Sequence, residues 1–262
     1  RAWFDGAARR PFRAAADAFD ARVAWRLAEA SALVYVDDAA YVEAAFSRIG
    51  ARRVVCRGFV PEAKSEAVVA TFDDAAWIVF RGTEPNDPRD FLTDLDVRLA
   101  AFPGEGRVHA GFLAALDDRG LYAALAADFA SVAGPVFLAA ARFVAEGVVP
   151  AARLRVVAFG CPRPGDAAFA AAYPVRAWRV VHGRDLVPSL PPRRLGYRHV
   201  GDPFGTDGAP ITVPAPDLDL AASFRTWFDR HERLAPLVDH APTVYADALW
   251  NATLPPPKPE GV

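Results

Sequence analysis

The residues equipped for chemistry in this sequence are an aspartate, a scatter of histidines and a threonine, and two of the three kinds sit where β-like runs end. Asp185 lies in VVHGRDLVPSLP, four residues past Val181, at the close of an apolar stretch. In open α/β sheets ligands bind beyond the carboxyl ends of strands. A carboxylate there can orient a histidine, fix its tautomer and stabilise its imidazolium. A loop aspartate serves equally well by bonding its own backbone or by pairing with Arg184. The partner histidine has to come from elsewhere in the chain. His109 (RVHAGF) stands at a predicted helix start, His182 shares a turn with Asp185, and His199 lies in the short run YRHVG. His231 is in the charged stretch DRHER, and His240 (DHAPTVY) is at a loop-to-helix junction. Taken singly, each of these is more readily structural than catalytic. The second strand end, WIVFRGTE, brings Gly82 and Thr83. Glycine lets the backbone approach a ligand closely, and an N–H there, helped by the Thr83 hydroxyl, can stabilise a developing oxyanion.

The elements that must carry these residues follow from periodicity. Apolar runs at 53–56, 67–72 and 77–80 are predicted strands, with Asp73-Asp74 as a hairpin turn between the last two. Ala24, Leu27, Ala30 and Val34 share helical spacing, predicting an amphipathic helix over 21–36. The Pro-broken TEPNDPRD is a loop. A helix over 111–132, an apolar stretch at 135–144 and strands at 154–159 and 175–181 follow. Helices interleaved with short strands predict an α/β domain, with a mostly parallel central sheet covered by helices on both faces. Residues 1–20, Arg- and Ala-rich without periodicity, read as a peripheral N-terminal arm, 21–253 as the domain, and the Pro-rich 254–262 as an extended, disordered tail.

Composition removes several function classes. The formal charge is −2, so no basic field favours nucleic acid or an anionic membrane. Nearly all the positive charge is arginine, since Lys64 and Lys258 are the only lysines. Cys56 and Cys161 fit neither a disulfide framework nor a metal motif, and the five histidines are dispersed, so no structural metal is expected. The longest apolar run, 132–141, stops at Arg142, short of the roughly 18–20 residues a membrane helix needs. The chain opens on Arg1 and holds no methionine, so a start upstream is expected and the compartment is not read from its first residues.

Taken as an ordered set, WIVFRGTE, FLTDLD, RVHAGF, VVAFGCPRPGDAAF, VVHGRDLVPSLP, YRHVG and DHAPTVY resemble the class 3 (fungal-type) lipase family over residues 21–249. The resemblance implies an α/β-hydrolase fold and hydrolysis of carboxylic esters of acyl lipids. It implies no cofactor, no membrane span, and at most transient contact with a lipid interface. By the same resemblance Asp185 is the triad acid, His240 the triad base and Thr83 the first oxyanion-hole residue. It also places a lid at 84–92, anchored by Phe91 and Leu92, and gives His109 and His199 structural places.

One part of the pattern is missing. Hydrolases of this fold carry the nucleophile in a G-x-S-x-G turn between a central strand and a helix, and no G-x-S-x-G occurs in this chain. Where family members have a G-H-S-L-G-G-type segment, this sequence reads SVAGPVFLAAARFVAEG. GPV resembles the start of the elbow strand and FLAAARFVAEG the helix beyond it. A break between Val136 and Phe137 is therefore expected, with the elbow strand truncated and the nucleophile gone. Ser131, Ser189 and Cys161 are the nearest substitutes, and none sits in a glycine-flanked turn of that kind. The chain is expected to be inactive as it stands, the alternative role being that of a non-catalytic lipid- or protein-binding member.

Overall fold

A computed structural model describes residues 3–5, 18–36, 38–59, 66–73, 75–81, 97–129, 136–212 and 238–254. The first half opens with helices α1 (Ala21–Leu33) and α2 (Ala39–Arg48). Each starts on an aspartate whose carboxylate accepts an orphan backbone N–H of the first turn: Asp20 from Arg22 and Asp38 from Tyr41. Strands β1 (Arg53–Arg57), β2 (Ala67–Thr71) and β3 (Ala76–Phe80) follow as an antiparallel meander, with Val55 opposite Val69 and Val69 opposite Ile78. A small antiparallel pair, β4 (Leu99–Ala101) and β5 (Arg107–His109), leads into α3 (Ala110–Asp117), α4 (Leu121–Phe129) and α5 (Val136–Ala145). Next come β6 (Arg155–Phe159), α6 (Ala167–Ala172), β7 (Arg176–Val181), β8 (Asp202–Gly205) and α7 (Pro242–Ala252). In this second half the sheet is parallel, in the order β6-β7-β8.

The expected mostly parallel sheet is thus a mixed one. Strands joined by short turns can pair only antiparallel, and the direct links β1-β2-β3 leave no room for a crossover helix. The expected helix over 111–132 is two helices, broken by a 3-10 turn at Asp118–Gly120 where Gly120 takes φ +73°. The expected helix over 21–36 ends at Leu33. The sequence break placed between Val136 and Phe137 falls inside the first turn of α5, so Val136 is helical rather than part of a strand. The run that follows it, FLAAARFVA, is made of helix formers with no glycine or proline to stop the helix reaching back to Val136. Within the stretch read as a peripheral arm, Phe4 is buried, lies 5.7 Å from the Phe46 ring and donates its N–H to Glu29 Oε2.

Two cores hold the layers together. Leu116, Leu125, Phe137, Leu138, Phe143 and Phe169 bring α3 to α6 onto one face of the strands. Trp25, Leu33, Val42, Phe46, Tyr245 and Leu249 bring α1, α2 and α7 onto the other. Each fully buried Leu or Phe contributes roughly 1.5–3 kcal/mol. The period of two in strands shows how the sheets relate. Ile78 and Phe80 of β3 join the first core while Trp77 and Val79 join the second. In the same way Val156 and Ala158 of β6 join the first while Val157 and Phe159 pack on the second. Both sheets therefore occupy one layer, and α1 touches β3 and β6 alike. Among the described residues, β3 pairs only with β2, and β6 only with β7.

Arg142 ties α3, α4 and α5 together on one flank. It donates to Glu146 Oε1 (2.8 Å) and Asp117 Oδ1 (2.6 Å) and lies 3.8 Å over the Tyr122 ring. The Tyr122 hydroxyl donates in turn to Glu146 Oε2 at 2.7 Å. No helix among the described residues is long and apolar enough to cross a membrane.

Candidate active site

The chain leaves β7 at Val181 and turns at once, with Gly183 at φ +47° and the Asp185 N–H donating to the His182 carbonyl at 3.0 Å. That turn points the Asp185 side chain inward, where it has no solvent exposure. Its Oδ1 accepts the Val187 N–H (2.9 Å), which opens the 3-10 turn Val187–Ser189. Its Oδ2 is shared between the His240 ring nitrogen Nδ1 (2.9 Å) and the Tyr245 hydroxyl (2.6 Å). His240 sits in the turn before α7, and Tyr245 on the buried face of that helix also accepts the His182 N–H at 3.1 Å. With a carboxylate on Nδ1, the proton is assigned to that nitrogen, leaving Nε2 as the basic atom. The imidazole keeps 17% exposure while the carboxylate behind it keeps none, as a base that must reach a substrate requires.

A glycine makes room for this pair. Gly160, just past β6, takes φ +55° and donates its N–H to the Val180 carbonyl. A Cβ there would fall 2.6 Å from both Asp185 Oδ2 and His240 Nδ1. The couple therefore lies directly against the carboxyl ends of β6 and β7. A shallow depression lined by Ala151, Arg155, Pro174 and Arg176 opens at the opposite, amino-terminal end of those strands.

Among the described residues, the other histidines make different contacts. His109 is buried, caps α3 by accepting the Phe112 N–H, and stacks on the Phe112 ring at 4.1 Å. His199 meets the Pro188 carbonyl through Nε2 at 2.8 Å. Burial, aided by the charges of Arg179 and Arg163, pushes its pKa down to about 3, so it stays neutral and donates that bond. His182 Nδ1 meets the Thr206 hydroxyl at 2.9 Å. His231, Ser131, Thr83 and the stretch 84–92 with Phe91 and Leu92 lie outside the described residues.

Neither described substitute nucleophile has the required surroundings. Ser189 is buried in its 3-10 turn, and its carbonyl accepts from the Arg163 guanidinium. Cys161 has its thiol against the Pro162 carbonyl, and burial pushes its pKa up to about 12, against the opposing pull of Arg179. A thiol held that high supplies almost no thiolate at neutral pH. Arg163, fully buried, donates Nη1 to the Ser189 and Pro191 carbonyls and its backbone N–H to Leu190, which fixes the loop that follows Asp185. Tyr245, Gly160, Gly183 and Arg163 were not singled out from the sequence. The signal available for the two glycines was their place just after a strand.

A carboxylate–imidazole couple thus lies past the carboxyl ends of parallel strands, where open α/β sheets bind their ligands. Residues 133–195 match the family described as Lipase (class 3), a stretch that contains Asp185 and ends before His240. The chain is thus similar to class 3 lipases over that stretch. It is 31% identical over 185 residues to a lipase of Rhizomucor miehei, covering 61% of this chain and 50% of that one. To a secreted mono- and diacylglycerol lipase of Fusarium solani it is 34% identical over 122 residues, covering 40% of this chain and 35% of that one. The matches therefore span half or less of these curated relatives. Among solved structures, the triacylglyceride lipase of Rhizomucor miehei aligns at a TM-score of 0.55 with 22% identity, over 70% of this chain and 78% of that one. A triacylglycerol lipase whose catalytic centre is a serine-protease triad aligns at 0.57 with 21% identity, over 82% and 90%. At such identities the likeness establishes the fold.

Proposed function

We propose that this chain carries the acid–base half of a carboxylic ester hydrolase acting on acyl lipids, and that it is inert as it stands because its nucleophile elbow is missing. The observation that carries the reading is the Asp185–His240 couple, joined at 2.9 Å through Nδ1. With a serine in place, His240 Nε2 would take the hydroxyl proton as Oγ attacks the ester carbonyl. It would then return that proton to the departing alkoxide, leaving an acyl-enzyme. Water, deprotonated by the same nitrogen, would release the fatty acid. Asp185 would stabilise the imidazolium at each step, and Thr83 would serve the oxyanion. The sequence lacks any G-x-S-x-G, and among the described residues β3 pairs only with β2 and β6 only with β7. The absent motif supports loss of the elbow together with its strand end.

The test has two parts. The chain as it stands is expected not to label with a serine-directed fluorophosphonate, and robust labelling would refute the nucleophile reading. Inserting a G-H-S-L-G-G-type elbow between Val136 and Phe137 should confer esterase activity that Asp185→Ala or His240→Ala abolishes. Activity indifferent to His240 would overturn its role as base.

A further inference from the structure

The loops bearing Asp185 and His240 meet at a second point that the acid–base chemistry does not use. Asp239, the residue before His240, accepts the backbone N–H of Arg184, the residue before Asp185, through Oδ2 at 2.7 Å. Gly183 allows this close approach, because a Cβ at that position would lie 2.5 Å from the same oxygen. Two neighbouring residues of one loop are thus bonded to two neighbouring residues of the other, in the same order. A single bond from carboxylate to imidazole leaves the ring free to pivot about that bond. A second anchor one residue away fixes the backbone from which the ring projects.

We propose that Asp239 is a positioning residue, holding the His240 backbone so that the imidazole keeps its bond to Asp185. The proposal rests on the ester-hydrolase reading for its purpose, but its test needs no turnover. In proton NMR spectra of the chain as it stands, the His240 Nδ1 proton is expected at low field, identified by its loss in His240→Gln. Asp239→Ala should speed its exchange with water about three- to ten-fold, the range for loss of one modest hydrogen bond. Asp239→Asn keeps a carbonyl acceptor for the Arg184 N–H and should restore the slow rate. Gly183→Ala, which pushes Asp239 away without altering it, should match Asp239→Ala and carries the test if that variant does not fold. Exchange unchanged in Asp239→Ala or Gly183→Ala, or equally fast in Asp239→Asn and Asp239→Ala, overturns the proposal. Absence of the low-field proton from the parent overturns both it and the acid–base couple. An elbow-restored protein that stays inactive while this exchange pattern holds refutes the ester-hydrolase reading alone.

Discussion

Replacing Tyr245 by Phe removes one oxygen from a buried junction and little else. The ring keeps its edge contacts with Phe159 and His182, at 6.1 and 5.8 Å between centroids. Two bonds are lost. One is the charge-assisted bond to Asp185 Oδ2, worth roughly 1.5–3 kcal/mol, and the other the neutral bond from the His182 N–H, worth roughly 0.5–1.5 kcal/mol. Because His182 N–H is left without that acceptor, the sum of about 2–4 kcal/mol is the expected destabilisation, or a fall in Tm on the order of 10 °C for a chain of this length. The effect carries a pH signature. Burial first, then the charge of Asp185, holds the Tyr245 pKa well above the ordinary 10. Below pH 10 both folded and unfolded forms keep the phenol proton, so the contribution is whole. Above it the unfolded chain releases a proton that the folded chain retains, and stability declines by about 1.4 kcal/mol per pH unit. Urea unfolding of parent and Tyr245→Phe between pH 7 and 11 measures both effects. The two midpoints should be well apart at pH 7 and converge as the pH rises above 10. A variant within about 0.5 kcal/mol of the parent at pH 7, inside the spread of ordinary surface substitutions, would refute the account of the junction.

Gly160→Ala should be costlier than a surface glycine change, since φ +55° strains an L residue by about 1–2 kcal/mol and the methyl meets Asp185 and His240 at 2.6 Å. The low-field His240 proton should vanish, and its persistence would show that the couple does not rest against this glycine. His199 should make the fold acid-sensitive, because its pKa of about 3 in the folded chain lies below the ordinary 6.5. Its contribution is whole above pH 6.5 and falls by about 1.4 kcal/mol per unit as the pH drops towards 3. Urea midpoints for His199→Gln should show a flatter decline from pH 6.5 to 4, and an unchanged slope would count against the assignment.

What the sequence disclosed and what it hid have physical reasons. Asp185 was legible because a carboxylate four residues past a strand end is a positional signal, and the apolar, β-branched run at 175–181 marks that strand without any fold knowledge. His240 was legible only through the order of the motifs, as five histidines offered no local distinction. Tyr245 was hidden because its value depends on the phase of α7, set by Pro242 at the helix start and by burial against Phe159, neither of which is a pattern at the residue itself. The hairpin of β2 and β3 was legible from its Asp73-Asp74 turn, whereas the antiparallel pairing of β1 with β2 was not, because β2, AVVAT, is buried on both faces and double-sided burial erases the alternation that marks an antiparallel strand. The break at Gly120 was hidden inside an alanine-rich stretch whose helical signal continues on both sides.

The placement of these parts bears on how an acid–base couple can persist in a chain that, on the reading proposed above, has lost its nucleophile. Among the described residues, those that hold Asp185 and His240 belong to the second sheet and its neighbours: Gly160 after β6, the turn after β7, the Arg163 anchor and helix α7. Thr83, the proposed oxyanion residue, follows β3, which pairs with β2 and belongs to the other sheet. An elbow strand between β3 and β6 would supply the nucleophile at the one place that joins the two halves. Its removal deletes the reacting atom and the pairing across the layer but breaks none of the described hydrogen bonds around Asp185. Helix α1, packed on β3 and β6 alike, bridges the two sheets through apolar contacts that do not depend on strand register. The geometry of the couple is therefore no guide to whether the chain turns over. That question turns on whether the edges of β3 and β6 can again share a strand that delivers a serine to Nε2.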